Sequence, residues 1–148
     1  MTSATDTPLA AVREHLDFLG YTTAGPEKDG WYRVEHPRRW NLHLLPTPIG
    51  LRLHCTVYLG ASVPLRKGEW HEFLNRFNEE ATVARATLAQ DRDGDWFLRA
   101  RALLPPTYER RLFGALMDAW HDDLEYMTHA PSAQAPTAPL DTDDETVN

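Results

Sequence analysis

Residues 67–104, KGEWHEFLNRFNEEATVARATLAQDRDGDWFLRARALL, decide the fold of this chain. Four large apolar residues recur there at the spacing of one helix face: Trp70, Phe73, Leu74 and Phe77. They predict a helix over Lys67–Glu80. The next two stretches, Thr82–Ala89 and Trp96–Leu103, alternate as β-strands do, and the polar segment between them contains Gly94. A polar segment with a glycine between two alternating stretches is typical of a hairpin turn.

The chain before this stretch predicts a first helix followed by strands. The apolar spacing of Pro8–Leu19 is that of an amphipathic helix, and Gly20 is placed to end it. Short stretches bounded by glycine or proline come next and are predicted as strands: Tyr21–Thr23, Trp31–Val34, Trp40–Leu45 and Gly50–Leu59. In the last of them, Leu51, Leu53 and Cys55 alternate with polar residues, which predicts a half-buried antiparallel strand.

The chain after this stretch predicts one more helix and a polar tail. Apolar residues at helical spacing run from Thr107, the predicted N-cap, to about Met127. Residues 128–148 contain three prolines and four carboxylates but no Lys or Arg, so they are predicted to be a disordered acidic tail. We therefore expect a flexible N-terminus over residues 1–6, one domain over residues 7–127 and this tail.

The helix with its paired asparagines, Asn75 and Asn78, followed by a hairpin with an Asp-Gly turn and a final helix, resembles the YbjN family. That family is similar in architecture to the small chaperones of bacterial type III secretion. The resemblance implies an α+β fold of the order α-β-β-β-α-β-β-α, with an antiparallel sheet and a helix on either side of it. It also implies a homodimer without catalytic activity that holds a client protein.

Composition and charge exclude several functional classes. The chain carries 15 Lys and Arg against 22 Asp and Glu, a net charge of −7, which disfavours a general nucleic-acid binder and favours basic partners. Its longest apolar runs are too short to span a bilayer, and no secretion signal begins the sequence, so we expect a cytoplasmic protein. The single cysteine, Cys55, is predicted to be a buried structural thiol.

No set of residues in the sequence forms a recognisable catalytic, cofactor or metal site. His121 with Glu125, or Asp118 with Asp122, would present two metal ligands one helical turn apart, but no second pair completes a site. The sequence also lacks a glycine-rich phosphate loop and a nucleophile elbow. We therefore predict no cofactor, no metal and no enzymatic activity.

Two sets of residues are candidates for binding. The aromatic stripe of the second predicted helix carries more large apolar surface than a small domain needs, so Trp70, Phe73, Leu74 and Phe77 are predicted to form a dimer or partner interface. If the predicted strands are adjacent, a second set shares one face of the sheet: Arg52, Tyr58, Arg85, Arg99 and Arg101. This face is either a solvated outer surface or a surface that binds carboxylates or single-stranded bases.

The sequence therefore predicts a homodimeric, chaperone-like adaptor that engages a client protein with a basic or hydrophobic segment. A nucleic-acid-processing protein is one plausible kind of client. The alternative is a single-stranded nucleic-acid binder that uses the arginine-bearing sheet face.

Overall fold

A computed structural model describes residues 6–60 and 63–131 of the chain. Its three α-helices are α1 (Asp6–Phe18), α2 (Lys67–Glu80) and α3 (Arg110–Glu125). Its six strands are β1 (Thr22–Ala24), β2 (Tyr32–Glu35), β3 (Leu42–Thr47), β4 (Gly50–Gly60), β5 (Arg85–Gln90) and β6 (Trp96–Leu104). Short 3₁₀ turns precede α2 and follow α3: Val63–Arg66 and Tyr126–His129. Within the described ranges, no helix has the length and apolar composition needed to cross a bilayer.

The strands form one antiparallel sheet in the order β1-β2-β3-β4-β6-β5, which confirms the predicted α+β class. Four strands precede α2, as many as the predicted stretches, whereas the order implied by the family resemblance has three; the additional strand is the three-residue β1, which pairs with β2. The chain leaves the sheet after β4, forms α2, and returns at the far edge as β5. The last strand, β6, then lies between β4 and β5.

All three helices cover the same face of the sheet. Their inward residues and the inward residues of the strands form a single buried cluster that includes Leu16, Trp70, Trp120, Leu53 and Leu98. The implied arrangement with a helix on either side of the sheet is therefore wrong. One apolar face of the sheet is enough to bury the apolar stripes of three amphipathic helices, so the other face stays open.

Helix α1 ends as its sequence predicts. Gly20 has a φ of 97°, and its N–H donates to the carbonyl of Asp17, while the N–H of Tyr21 donates to the carbonyl of Leu16. This pair of bonds is a Schellman motif, which satisfies carbonyls that the last turn leaves free. Glycine suits the position because a Cβ atom disfavours positive φ. The motif turns the chain directly into β1.

Helices α1 and α3 do not start as the sequence predicts. Helix α3 is capped by Glu109, not Thr107, because the Glu109 carboxylate accepts from the backbone N–H groups of the first turn. Helix α1 begins at Asp6, two residues before the predicted Pro8.

The first four residues of the predicted tail, 128–131, are among the residues that the structure describes. Residues 128–131 continue from the 3₁₀ turn, and Ala130 and Pro131 are buried. The carbonyl of Pro131 accepts a hydrogen bond from Arg66 Nη1 at 2.7 Å, which holds this segment beside the start of α2. The rest of the predicted tail, residues 132–148, lies outside the described residues, as do residues 1–5.

Candidate functional site

The uncovered face of the sheet is a candidate binding surface. Along β4, Leu51, Leu53 and Cys55 point into the core, so the residues between them point outward. The outward positions of β3 to β6 include four arginines and no Asp or Glu: Arg52, Arg85, Arg99 and Arg101. The strand order thus brings together all four arginines that the sequence assigns to one sheet face.

A row of five basic residues crosses this open face of the sheet. The residues lie directly opposite one another on successive strands, in the order Arg33, His43, His54, Arg101, Arg85. Neighbouring strands are about 4.8 Å apart, so the row extends over about 19 Å. We call these five residues the basic row. Arg33 at its end is paired with Glu27, whose Oε2 lies 3.0 Å from Arg33 Nε.

Beside the basic row, the open face has one aromatic area and one aliphatic area. The Arg99 guanidinium lies 4.9 Å from the centre of the Phe97 ring, and Arg99 Nε donates to Thr56 Oγ1 at 3.4 Å. Tyr58, opposite Phe97, is 71% exposed. On the other side of the row, Ile49 and Leu103 are also exposed and border a shallow depression of about 700 Å³ that Arg52, Arg85 and Arg101 line as well.

The electrostatics of the open face are dominated by its arginines. The pKa of His54 is lowered to about 4, first by partial burial and then by the charges of Arg99, Arg52, Arg101 and His43, in that order. Its imidazole lies 4.5 Å from the Trp31 ring, centre to centre. His54 is therefore neutral at neutral pH, and the positive charge of the surface at its centre comes from guanidinium groups. Such a surface suits carboxylates or phosphates.

The aromatic stripe of α2 lies in the core. Trp70, Phe73 and Phe77 are 1%, 7% and 1% exposed, and Leu74 is partly buried against the same cluster. The Phe73 ring stacks on Tyr126 at 5.6 Å, which joins α2 to the turn that follows α3. The apolar surface from which an interface was predicted is therefore used inside the fold. The helical spacing of the apolar residues could not show this, because a stripe that faces the core and a stripe that forms an interface have the same spacing.

A second depression lies between α2 and the turn after α3. Its volume is about 470 Å³, and Glu69, Glu72, Arg76, Tyr126 and His129 are among the residues that line it. Its charges are paired within the chain, because Arg66 binds Glu69 at 2.7 Å and Arg76 lies 3.8 Å from Glu72. This depression therefore has less unpaired charge for a ligand than the open face of the sheet.

The structure also places the residues considered for metal binding and nucleophilic chemistry. Cys55 is buried, and that burial raises the pKa of its thiol to about 11. Asp118, Asp122 and Glu125 are exposed on α3. Across residues 6–60 and 63–131, no three His, Cys, Asp or Glu side chains come together as a set of metal ligands.

Comparison with known proteins identifies the family. Residues 8–128 match the family model of YbjN, which is described as a "putative bacterial sensory transduction regulator". The chain belongs to the YbjN family. Among solved structures, the crystal structure of "YbjN, a putative transcription regulator from E. coli" is similar, with a TM-score of 0.65 and 15% sequence identity. The similarity covers 85% of this chain and 93% of that chain, whereas no curated protein matches the sequence.

In this member of the YbjN family, the two asparagines of α2 have different environments. Asn78 Nδ2 donates to the carbonyl of Ala86 at 3.0 Å, and Asn78 Oδ1 accepts from the N–H of Ala86 at 2.7 Å. Both backbone groups lie on the outer edge of β5, so Asn78 occupies bonding sites that another strand would use. Asn75 is exposed. The sequence indicated the pair of asparagines but not which of them binds the sheet.

Replacing Asn78 with alanine is expected to lower the free energy of unfolding by about 1–3 kcal/mol, because two backbone hydrogen bonds are lost. The matched control is Asn75→Ala on the same helix, for which we expect a change within about 0.5 kcal/mol. Urea unfolding of the two variants and the parent protein measures both values. Equal losses in the two variants would show that the bonds to Ala86 do not stabilise the domain.

Asp123 binds the segment that connects α2 to β5, and no local pattern in the sequence indicated this contact. Its carboxylate accepts from the backbone N–H groups of Thr82, Val83 and Ala84 at 2.8–2.9 Å, and the residue is 7% exposed. These bonds hold the start of the predicted strand outside the sheet, so β5 begins at Arg85 and not at Thr82. Together, Asp123 and Asn78 fix the position of β5, which carries Arg85 to the open face.

Proposed function

We propose that this YbjN-family protein is a non-enzymatic regulatory adaptor that binds a partner protein on the open face of its sheet. The family description as a sensory transduction regulator supports a regulatory function. One observation carries the proposal: the outward positions of β3 to β6 present four arginines without any carboxylate, beside the exposed side chains of Ile49, Leu103 and Tyr58. Exposed apolar residues next to unpaired guanidinium groups are typical of protein-binding surfaces.

The charge of this surface changes the expected partner. The net charge of −7 favoured a basic or hydrophobic client. The open face is locally cationic, however, and a partner docks against the local potential of the surface that it contacts. We therefore propose that the client, a nucleic-acid-processing protein being one example, meets the open face with an acidic and aliphatic segment.

The proposal includes a homodimer, as the family resemblance implies, and a cytoplasmic location. Because Trp70, Phe73 and Phe77 are buried within one chain, a dimer needs another surface. Exposed apolar side chains are present on the helical side of the domain at Phe18, which is 74% exposed, and Leu112, which is 46% exposed. A dimer formed there would leave both open sheet faces free for partners.

The second candidate function is binding of single-stranded nucleic acid. The observation that favours it is the aromatic area of the open face, where Tyr58 is exposed beside the Arg99 and Phe97 pair. This function requires binding of an oligonucleotide that weakens steeply with salt and is lost when Arg85 and Arg99 are replaced.

The test of the adaptor function is a double charge reversal on the open face. We expect the full chain to capture a protein partner from its native cytosol and the variant Arg85→Glu/Arg101→Glu to lose that partner, because the two arginines lie directly opposite each other on β5 and β6 and form one end of the basic row. The control is Arg110→Glu/Arg111→Glu on α3, which changes the net charge equally at exposed positions away from the sheet.

Retention of the partner by the control and its loss from the face variant would support the proposal. Equal retention by both variants would show that the open face is not the partner surface. Thermal unfolding of each variant is measured in parallel, so that a loss of folding is distinguished from a loss of binding.

A further inference from the structure

We propose that the open face of the sheet binds an acidic peptide segment across its strands, over the basic row, and that His54 gains a proton when the segment binds. This inference rests on the proposed function, because it names the chemistry of the partner at that same surface. The segment that fits presents carboxylates together with an aliphatic side chain.

The first argument is the unpaired charge of the open face. Among the described residues, ion pairs are formed by Arg33, Arg66 and Arg76, of which Arg33 alone belongs to the basic row. The four arginines of β4, β5 and β6 have no carboxylate on the outward positions around them. Guanidinium groups bind carboxylates through two parallel hydrogen bonds, so a partner with several carboxylates can form ion pairs with these arginines.

The second argument is the size and composition of the surface. The basic row spans about 19 Å, which matches about six residues of extended peptide at about 3.3 Å per residue. The depression next to the row is bordered by the exposed Ile49 and Leu103. An aliphatic side chain of the segment therefore has apolar atoms to bury against, while its neighbours reach Arg52, Arg85 and Arg101.

The third argument favours a peptide over a nucleic acid as the ligand of the open face. Single strands are held by free aromatic faces, but the Phe97 ring is already covered by the Arg99 guanidinium at 4.9 Å. The depression beside the basic row is bordered by the exposed aliphatic side chains of Ile49 and Leu103, and among the described residues no Phe, Tyr or Trp side chain lines it. A long polyanion would also extend beyond the row toward a protein of net charge −7. A short acidic segment avoids that repulsion.

The fourth argument concerns the position of His54 in the row. It lies between His43 on β3 and Arg101 on β6, and Trp31 contacts its ring. The charged and titratable groups that surround it come from five strands: Arg33, His43, Arg52, Arg85, Arg99 and Arg101. Burial is the first cause of the low pKa of His54, and repulsion by these positive groups is the second. Carboxylates placed among the groups offset the repulsion, so the pKa of His54 rises in the complex.

The sign of the pH dependence follows from this change. The pKa of His54 is about 4 in the free protein and higher in the complex, so the complex binds the extra proton. Affinity for an acidic segment therefore increases as the pH falls toward the pKa of the complex, and it is independent of this group at higher pH.

The test uses the full chain and three probes: a fluorescently labelled hexaglutamate peptide, a hexalysine peptide of the same length, and an oligothymidylate. Fluorescence anisotropy is expected to show saturable binding of hexaglutamate and no binding of hexalysine. The Arg85→Glu/Arg101→Glu variant is expected to bind hexaglutamate at least about tenfold more weakly, and the Arg110→Glu/Arg111→Glu control is expected to bind it as the parent does.

Two outcomes would overturn the acidic-peptide inference. One is tighter binding of oligothymidylate than of hexaglutamate, which would assign the face to nucleic acid. The other is absence of hexaglutamate binding. If the charge reversal still releases the cytosolic partner in that case, the adaptor function stands and only the acidic-segment inference fails.

Proton uptake is tested separately in a His43→Gln background, which removes the other histidine of the row. There, hexaglutamate affinity is expected to rise about threefold or more from pH 7.5 to 5.5, and adding His54→Gln is expected to abolish the rise. The imidazole ¹⁵N resonances of His54 should also move toward their protonated positions at pH 5.5 when the peptide saturates the protein. An unchanged His54 signal, or an equal pH dependence in both variants, would refute the proton uptake.

Discussion

Replacing Asp123 with alanine is expected to lower the free energy of unfolding by about 2–4 kcal/mol. Three backbone N–H groups lose a charged acceptor at 2.8–2.9 Å, and one of them belongs to Ala84, which is fully buried. A buried N–H without a partner carries its full desolvation penalty, whereas the N–H groups of the more exposed Thr82 and Val83 can bind water. Urea unfolding monitored by tryptophan fluorescence measures the change.

The matched control for this prediction is Asp122→Ala, at the adjacent exposed position of α3, where we expect a change within about 0.5 kcal/mol. Asp123→Asn should fall between the two, because the amide retains one acceptor oxygen but presents an N–H group to the remaining donors. Equal stability of the Asp122 and Asp123 variants would mean that the three hydrogen bonds do not hold α3 to the start of β5.

Replacing Trp70 with alanine is expected to lower the free energy of unfolding by about 3–5 kcal/mol, the range for truncation of a large buried aromatic residue. The indole is 1% exposed and meets the Phe73 ring edge-on at 5.9 Å, so its removal leaves a cavity between α2 and the rest of the core. His71→Ala, at the next and exposed position, is the control with an expected change near zero.

The same variant separates a core function of Trp70 from an interface function. Truncation of a core residue lowers the free energy of unfolding by the same amount at low and high protein concentration, and it leaves the oligomeric state unchanged. Light scattering of the parent protein is expected to give twice the chain mass of 16.9 kDa, and Trp70→Ala is expected to keep that assembly. A monomeric parent would contradict the proposed homodimer, and a monomeric Trp70 variant with a stable fold would place the indole at the interface.

The local spacing of apolar residues was sufficient to predict most of the helices and strands. The helical spacing of apolar residues gave the bounds of α2, and the alternation along β4 separated Leu53 and Cys55 in the core from Arg52 and Tyr58 on the outer face. Gly20 marked the end of α1. These features depend on residues within a few positions of each other, where the periods of helix and strand fix which side chains share a face.

Local spacing did not show what each helix face or sheet face packs against, because that depends on contacts between segments far apart in the chain. The same aromatic spacing on α2 fits a core or an interface, and only the packing of α2 on the sheet places Trp70 inside. Likewise, the side chains of Asn78 on α2 and Asp123 on α3 bind backbone groups 8 and 39–41 residues away, and no local pattern indicates such a partner.

The sequence by itself determined the α+β class, the family resemblance and the assignment of Arg52, Arg85, Arg99 and Arg101 to outward positions, because alternation is a property of each strand alone. Only the tertiary structure placed β6 between β4 and β5, put all three helices on one face and aligned the basic row across five strands. Strand order and register arise from the burial of one shared apolar face and from hydrogen bonds between segments far apart in the chain, so they decide which charges become neighbours.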